Sequence, residues 1–245
     1  MKQIRLLFLG VILSIMTSIS VFANSNVVET EIEQKNCQDI SKNMETGEIL
    51  LNEIPTTLNN PSSGTTDSFI PSGIKEDKPL TREIIGKDNR YKITDTTTFP
   101  NSAICYAEMK FPNSDSIYVG TASNKAFNSS SAVTAGHCVY DSSLGGWAEW
   151  VRIYPGSNGS ESLYGVYYAS VLHTDTKYVK SENSNYDWGL LEFTSNIGSQ
   201  TGYFGASWTT DSLVGTWVVL RGYPAEKSAC LWTMSGKIAT SGTFK

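Results

Sequence analysis

Ala148-Glu149-Trp150-Val151-Arg152-Ile153-Tyr154 is a run of strand length, rich in β-branched and aromatic side chains. The same texture recurs on both sides of it. Ala103 to Met109 and Ser116 to Gly120 precede it; Leu163 to Leu172, Trp188 to Phe193 and Thr216 to Leu220 follow, with Gly, Asn, Ser and Pro between the runs. No window holds a helical period over three turns. The chain after Ile84 therefore reads as all-β, an antiparallel barrel or sandwich, with no internal repeat.

Composition agrees and excludes other classes. Of 245 residues, 40% are hydrophobic and 11% aromatic, enough for a core. Charged residues are only 18%, with 20 Gly, 12 Tyr and 6 Trp, which favours strands and turns over helical bundles. The net charge of -5 carries no basic face of the kind a nucleic-acid binder needs. Four cysteines without a C-x-x-C pair give neither a zinc-ribbon nor a thioredoxin signature.

The N-terminal 83 residues differ from the rest. Residues 1–23 read as a secretory signal: Lys2 and Arg5 open it, Leu6 to Phe22 carries no charge, and Val21-Phe22-Ala23 suits cleavage. Ser14, Thr17, Ser18 and Ser20 interrupt the apolar run and favour removal over retention as a membrane anchor. No second run of that length exists, so the expected mature protein is secreted, extracellular and off the membrane. Residues 24–83 hold eleven acidic and five basic residues, no Trp or Tyr, and the polar run Asn59 to Thr66. Such a composition buries little apolar area, and the stretch is expected to be mostly disordered, either as a linker or as a pro-segment.

There are two histidines. His137 stands in Thr134-Ala135-Gly136-His137-Cys138, where small neighbours let an imidazole emerge at a strand end. His173 ends an alternating run, Val171-Leu172-His173-Thr174, and is read as structural. Asp187, in Tyr186-Asp187-Trp188-Gly189, precedes an apolar strand between two aromatics, so its carboxylate needs a donor. It is read either as a cap on the Asn183-Ser184-Asn185 loop or as the acceptor of the His137 Nδ1–H, about 3 Å away. No loop has calcium-site spacing, and the histidines and cysteines make no zinc site; no cofactor and no metal are expected.

Thr134 to Cys138 and Tyr186 to Gly189 resemble the histidine and aspartate motifs of trypsin-like serine proteases. Ile84-Ile85-Gly86-Lys87-Asp88-Asn89-Arg90, Ile93 to Thr97, Phe99-Pro100, Gly222-Tyr223-Pro224 with Lys227, and Trp232 through Ile238 are similar to the secreted bacterial glutamyl endopeptidases, the V8-like branch. The resemblance covers 84–245. It implies two antiparallel β-barrels of the chymotrypsin type, the first at 84–198 with His137 and Asp187 as catalytic residues, the second incomplete at 199–245. It also implies a pro-segment cut near Glu83/Ile84, peptide or protein substrates cleaved after Glu, and a monomer. In relatives with the bond, a cysteine at the position of Cys138 pairs with one on the preceding hairpin. Gly120 stands there, Cys105 is a substitute on the neighbouring strand, Cys230 a thiol without a partner, and Cys37 part of the pro-segment.

The nucleophile motif of that family, G-x-S-G-[GS]-P, does not occur. Ser63, Ser72, Ser235 and Ser241 precede Gly, but none has Gly two positions earlier, and Ser207 in Gly205-Ala206-Ser207 is followed by Trp208. The expected reading is a sequence truncated before its serine and inactive as it stands. The alternative is a non-catalytic β-barrel binding module, a pseudoenzyme. A glycosidase would need two placed carboxylates, and no pair stands out.

Overall fold

A computed structural model describes residues 39–52, 63–76, 90–125, 129–159, 163–209 and 211–239. The signal segment 1–23, Cys37, the Glu83/Ile84 junction, Ser241 and Trp208's side chain lie outside what is described. Strands dominate: β1 Asp39–Asn43, β2 Ile49–Asn52, β3 Ser63–Thr66, β4 Tyr91–Lys92, β5 Ile104–Lys110, β6 Ile117–Asn124, β7 Ser131–Thr134 and β8 Tyr140–Asp141. They continue with β9 Gly146–Trp147, β10 Trp150–Pro155, β11 Tyr167–Tyr168, β12 Val171–Asp175, β13 Gly189–Glu192, β14 Ala206–Thr209, β15 Trp217–Gly222 and β16 Trp232–Lys237. Two short helices, α1 Thr176–Ser181 and α2 Gly198–Thr201, connect them.

The large sheet has the order β11-β10-β5-β6-β7-β13-β12-β1-β2, all neighbours antiparallel. The stretch 167–175 serves both sides of it. Its first half, β11, pairs with β10, and its second half, β12, pairs with β13. Between them Ala169 N–H donates to Val151 O and Ser170 N–H to Glu192 O. The sheet thus turns back towards itself in the manner of a barrel.

The run from Trp150 shows why it folds this way. Val151 and Ile153 point inwards, 1% and 0% exposed, beside Met109, Phe111, Leu172 and Leu191 in one core. Burying each such side chain contributes roughly 1.5–3 kcal/mol. Trp150, Arg152 and Tyr154 share the opposite face. The Arg152 guanidinium lies over all of Trp150, Tyr154 and Tyr168, and its Nε donates to Glu108 Oε2 at 2.7 Å.

Two features of the fold add to what the sequence suggested. Within the stretch expected to be mostly disordered, residues 39–43 and 49–52 form a hairpin joined to β12, and β3 pairs with β14. The stretch as a whole is poor in apolar groups, but Ile40 and Leu51, 1% and 7% exposed, enter the large core, and that local contribution decides the matter. The boundary at residue 198 is also crossed. β4 pairs with β16, in a separate sheet of order β15-β16-β4, so Tyr91 and Lys92 belong with the strands after 199. That sheet shares a small core of Ile93, Ile104, Tyr223 and Leu231, while Trp217, Val219 and Leu220 stay exposed.

Candidate active site

β7 and β13 run antiparallel with Thr134 opposite Gly189. The end of one and the start of the other therefore lie side by side. After Thr134 the chain enters a 3-10 turn, Gly136–Cys138, closed by Val139 N–H to Gly136 O at 2.9 Å. The turn buries Gly136 and Cys138 and sends His137 outwards, its side chain 60% exposed. Ahead of β13 a second 3-10 turn, Ser184–Tyr186, is capped by Asn183, whose side chain accepts the Asn185 N–H at 3.0 Å.

Asn183 thus fills the capping role, and both Asp187 oxygens go to His137. Oδ2 lies 2.9 Å from Nδ1, and Oδ1 accepts the His137 backbone N–H at 2.8 Å. The carboxylate holds the residue by ring and backbone together, which fixes the ring's orientation and places a proton on Nδ1. Nε2 is left as the ring nitrogen that faces a reactant. The hydrogen bond to Asp187, with Cys138 acting in the same sense, raises His137 to about 10. For Asp187, burial works upwards, but the bonds from the His137 ring and backbone outweigh it and hold the carboxyl below its ordinary range.

Glycines allow this approach. A Cβ on Gly136 would stand 3.0 Å from Asp187 Oδ1, Thr174 Oγ1 and the Tyr178 ring. A Cβ on Gly189 would stand 2.7 Å from the Ala135 carbonyl oxygen. Thr174 Oγ1 also donates to Trp188 O at 2.7 Å, tying β12 to the strand that follows Asp187. Thr174 and Tyr178 escape a sequence reading because nothing local marks them; their role comes from β12 and α1 lying beside β13.

No hydrogen bond of His137 among the described residues involves a serine. Ser207 lies in β14 opposite Thr65, and Ser235 is buried in β16 opposite Val219. His173 makes no contact with His137 and is held by Asp39 and Glu192.

Cys105, Cys138 and Cys230 are free thiols. Cys105 does not substitute as a partner for Cys138: its Sγ faces Asn124 Oδ1 at 3.5 Å. Gly120 is the position that faces Cys138, with a Cβ there 3.3 Å from Sγ. We expect Gly120→Cys to close a disulfide with Cys138 on air oxidation, stabilising the fold by up to about 3 kcal/mol. Thiol titration of the unfolded, unreduced variant should find one fewer free thiol than in the parent chain; one more would show that the bond does not form.

Fold and site together define a protein of the chymotrypsin-type β-barrel class, with a histidine–aspartate pair at the ends of two adjacent strands. The chain is a homologue of a glutamyl endopeptidase: it is 38% identical to "Glutamyl endopeptidase" of Bacillus licheniformis over 165 residues, 67% of this chain and 49% of that protein. It is 34% identical to "Extracellular metalloprotease" of Bacillus subtilis over 164 residues, 66% of this chain and 51% of that one. A solved Glu endopeptidase structure superposes with a TM-score of 0.56 at 28% identity, over 66% of this chain and 73% of that chain. No protein-family profile matches the chain. The chain spans about half the length of the two Bacillus relatives. Among the described residues no group of three or more His, Cys, Asp or Glu side chains is placed to hold a metal ion.

Proposed function

We propose that these residues form the histidine- and aspartate-bearing part of a secreted serine endopeptidase that hydrolyses peptide bonds after Glu. The observation that carries this reading is the Asp187–His137 contact at 2.9 Å, in a chain homologous to a glutamyl endopeptidase. Asp187 holds the tautomer with its proton on Nδ1. Nε2 takes the proton of a serine hydroxyl as that oxygen attacks the peptide carbonyl, and returns it to the leaving amine. The imidazolium formed between those steps faces the Asp187 carboxylate, which stays ionised. The acyl-enzyme is then hydrolysed by water through the same base.

The serine belongs to a G-x-S-G-[GS]-P segment, whose backbone N–H groups would also form the oxyanion hole. These 245 residues contain no such segment, so a polypeptide of this sequence alone turns over no peptide. Residues 1–23 direct export, residues 24–83 are a pro-segment cut from the rest near Glu83/Ile84, and the protein acts as an extracellular monomer. The name of the Bacillus subtilis relative supports an extracellular site. The test reads the coding DNA past codon 245 and assays the product on peptides with Glu, Asp or Leu before the scissile bond. A G-x-S-G-[GS]-P run with cleavage after Glu is expected. A stop codon with no such remnant, together with binding of protein or glycan without hydrolysis, would favour the non-catalytic module instead.

A further inference from the structure

A second imidazole–carboxylate contact lies away from the site, and it is buried. His173, in β12, has its side chain 10% exposed, and its Nδ1 stands 3.3 Å from both oxygens of Asp39. The Asp39 side chain is 1% exposed and also accepts from Asn52 Nδ2 at 2.7 Å. His173 Nε2 sits 3.5 Å from Glu192 Oε1, an ion-pair distance without hydrogen-bond geometry. Asp39 and Asn52 belong to the hairpin β1–β2, and His173 and Glu192 to the sheet it joins. Removing one partner of a buried pair leaves the other charge without compensation, which is costly.

The rest of the junction is strand addition. Ser41 is the Cα partner of His173, so Asp39, two residues away, reaches it diagonally on the same face. Five Cα pairs run from Asp39↔Asp175 to Asn43↔Val171, and Met44 N–H donates to Ser170 O at 2.9 Å. Lys42 Nζ donates to Ala148 O at 3.2 Å. Ile40 and Leu51 enter the core from this side. Backbone pairing supplies affinity, and the buried carboxylate and the two apolar side chains supply selectivity, as in peptide recognition by sheet edges.

We propose that the outer edge of β12 is a strand-docking site for an extended acidic segment, occupied in this chain by its own residues 39–52, with His173 reading the carboxylate. The docking stands on the fold alone and holds whether or not the protein hydrolyses peptides. Once the chain is cut beyond β2, the hairpin becomes a ligand that a peptide of the same sequence replaces.

To test this, a site-specific protease sequence is placed between Asn52 and Ser63 of the full chain and cut. The fragment carrying 39–52 is expected to co-elute with the remainder on gel filtration. A labelled synthetic peptide spanning 37–53 should exchange into the complex, and the Asp39→Asn peptide should compete at least tenfold more weakly. A fragment that departs on cutting, or an Asp39→Asn peptide that competes equally, overturns the proposal. Hydrogen exchange on the uncut Asp39→Asn chain gives a second readout. Amides of 171–175 should exchange at least tenfold faster while those of 104–110 keep their protection. Unchanged protection at 171–175 overturns the proposal, and so does parallel loss at 104–110, which would make the hairpin integral to the barrel and not a docked segment.

Discussion

Asp187→Asn is expected to lower the His137 titration from about 10 towards the ordinary imidazole range. In a chain that carries the serine it should lower kcat on the order of 10⁴-fold. The amide keeps the size of the carboxylate and can still accept the backbone N–H of His137, which the native Oδ1 receives at 2.8 Å. It loses the negative charge that favours the imidazolium, and its NH₂ group disfavours the tautomer protonated at Nδ1. The turn should therefore stay folded while the base fails. Sign follows from the same contact: the Asp187 carboxylate favours the imidazolium, so the imidazole gives up its proton at higher pH with Asp187 present than without it. Histidine NMR measures both, and a His173→Gln background leaves His137 as the single imidazole. A midpoint that stays near 10 in the Asn variant would mean that another group, with Cys138 the nearest candidate, sets the shift.

Gly189→Val is expected to lower the stability of the sheet by about 3 kcal/mol, a fall in melting temperature of roughly 6–12 °C for a protein of this size. The reason is backbone, not side chain. A Cβ at 189 would press on the Ala135 carbonyl oxygen at 2.7 Å and on the Thr134 methyl at 3.1 Å. Neither can turn away, because Thr134 pairs with Gly189 and Ala135 O accepts the Cys138 N–H at 3.1 Å. The strain falls on the two turns that carry His137 and Asp187, so the variant should lose the ring–carboxylate contact along with stability. Thermal unfolding followed by near-UV dichroism checks it, and a melting temperature within 2 °C or so of the parent would contradict the packing described.

The strand at Trp150–Pro155 was legible because burial follows its alternation: Val151 and Ile153 inside, Trp150 and Arg152 outside. The meeting of His137 with Asp187 was legible through the resemblance of Thr134–Cys138 and Tyr186–Gly189 to the protease motifs; the residues alone left Asp187 open as a loop cap. The hairpin at 39–52 was not. Averaged over the acidic stretch, its two core side chains disappear, and their burial depends on β12, whose sequence lies well over a hundred residues later. Asp39 shows the same limit: a carboxylate in an acidic segment reads as solvated until its partner, His173, is placed beside it. Tyr91 and Lys92 crossed the domain boundary for a related reason, since a two-residue strand has no pattern of its own and takes its place from β16.

The most direct test of the central claim, that His137 activates a serine, is covalent labelling. The product of the full coding sequence is treated with a fluorophosphonate and the adduct located by mass spectrometry. One phosphonylated serine is expected, in a G-x-S-G-[GS]-P segment, with labelling lost in His137→Ala. Labelling of equal rate in His137→Ala, or an intact product with that segment and no adduct, would contradict it.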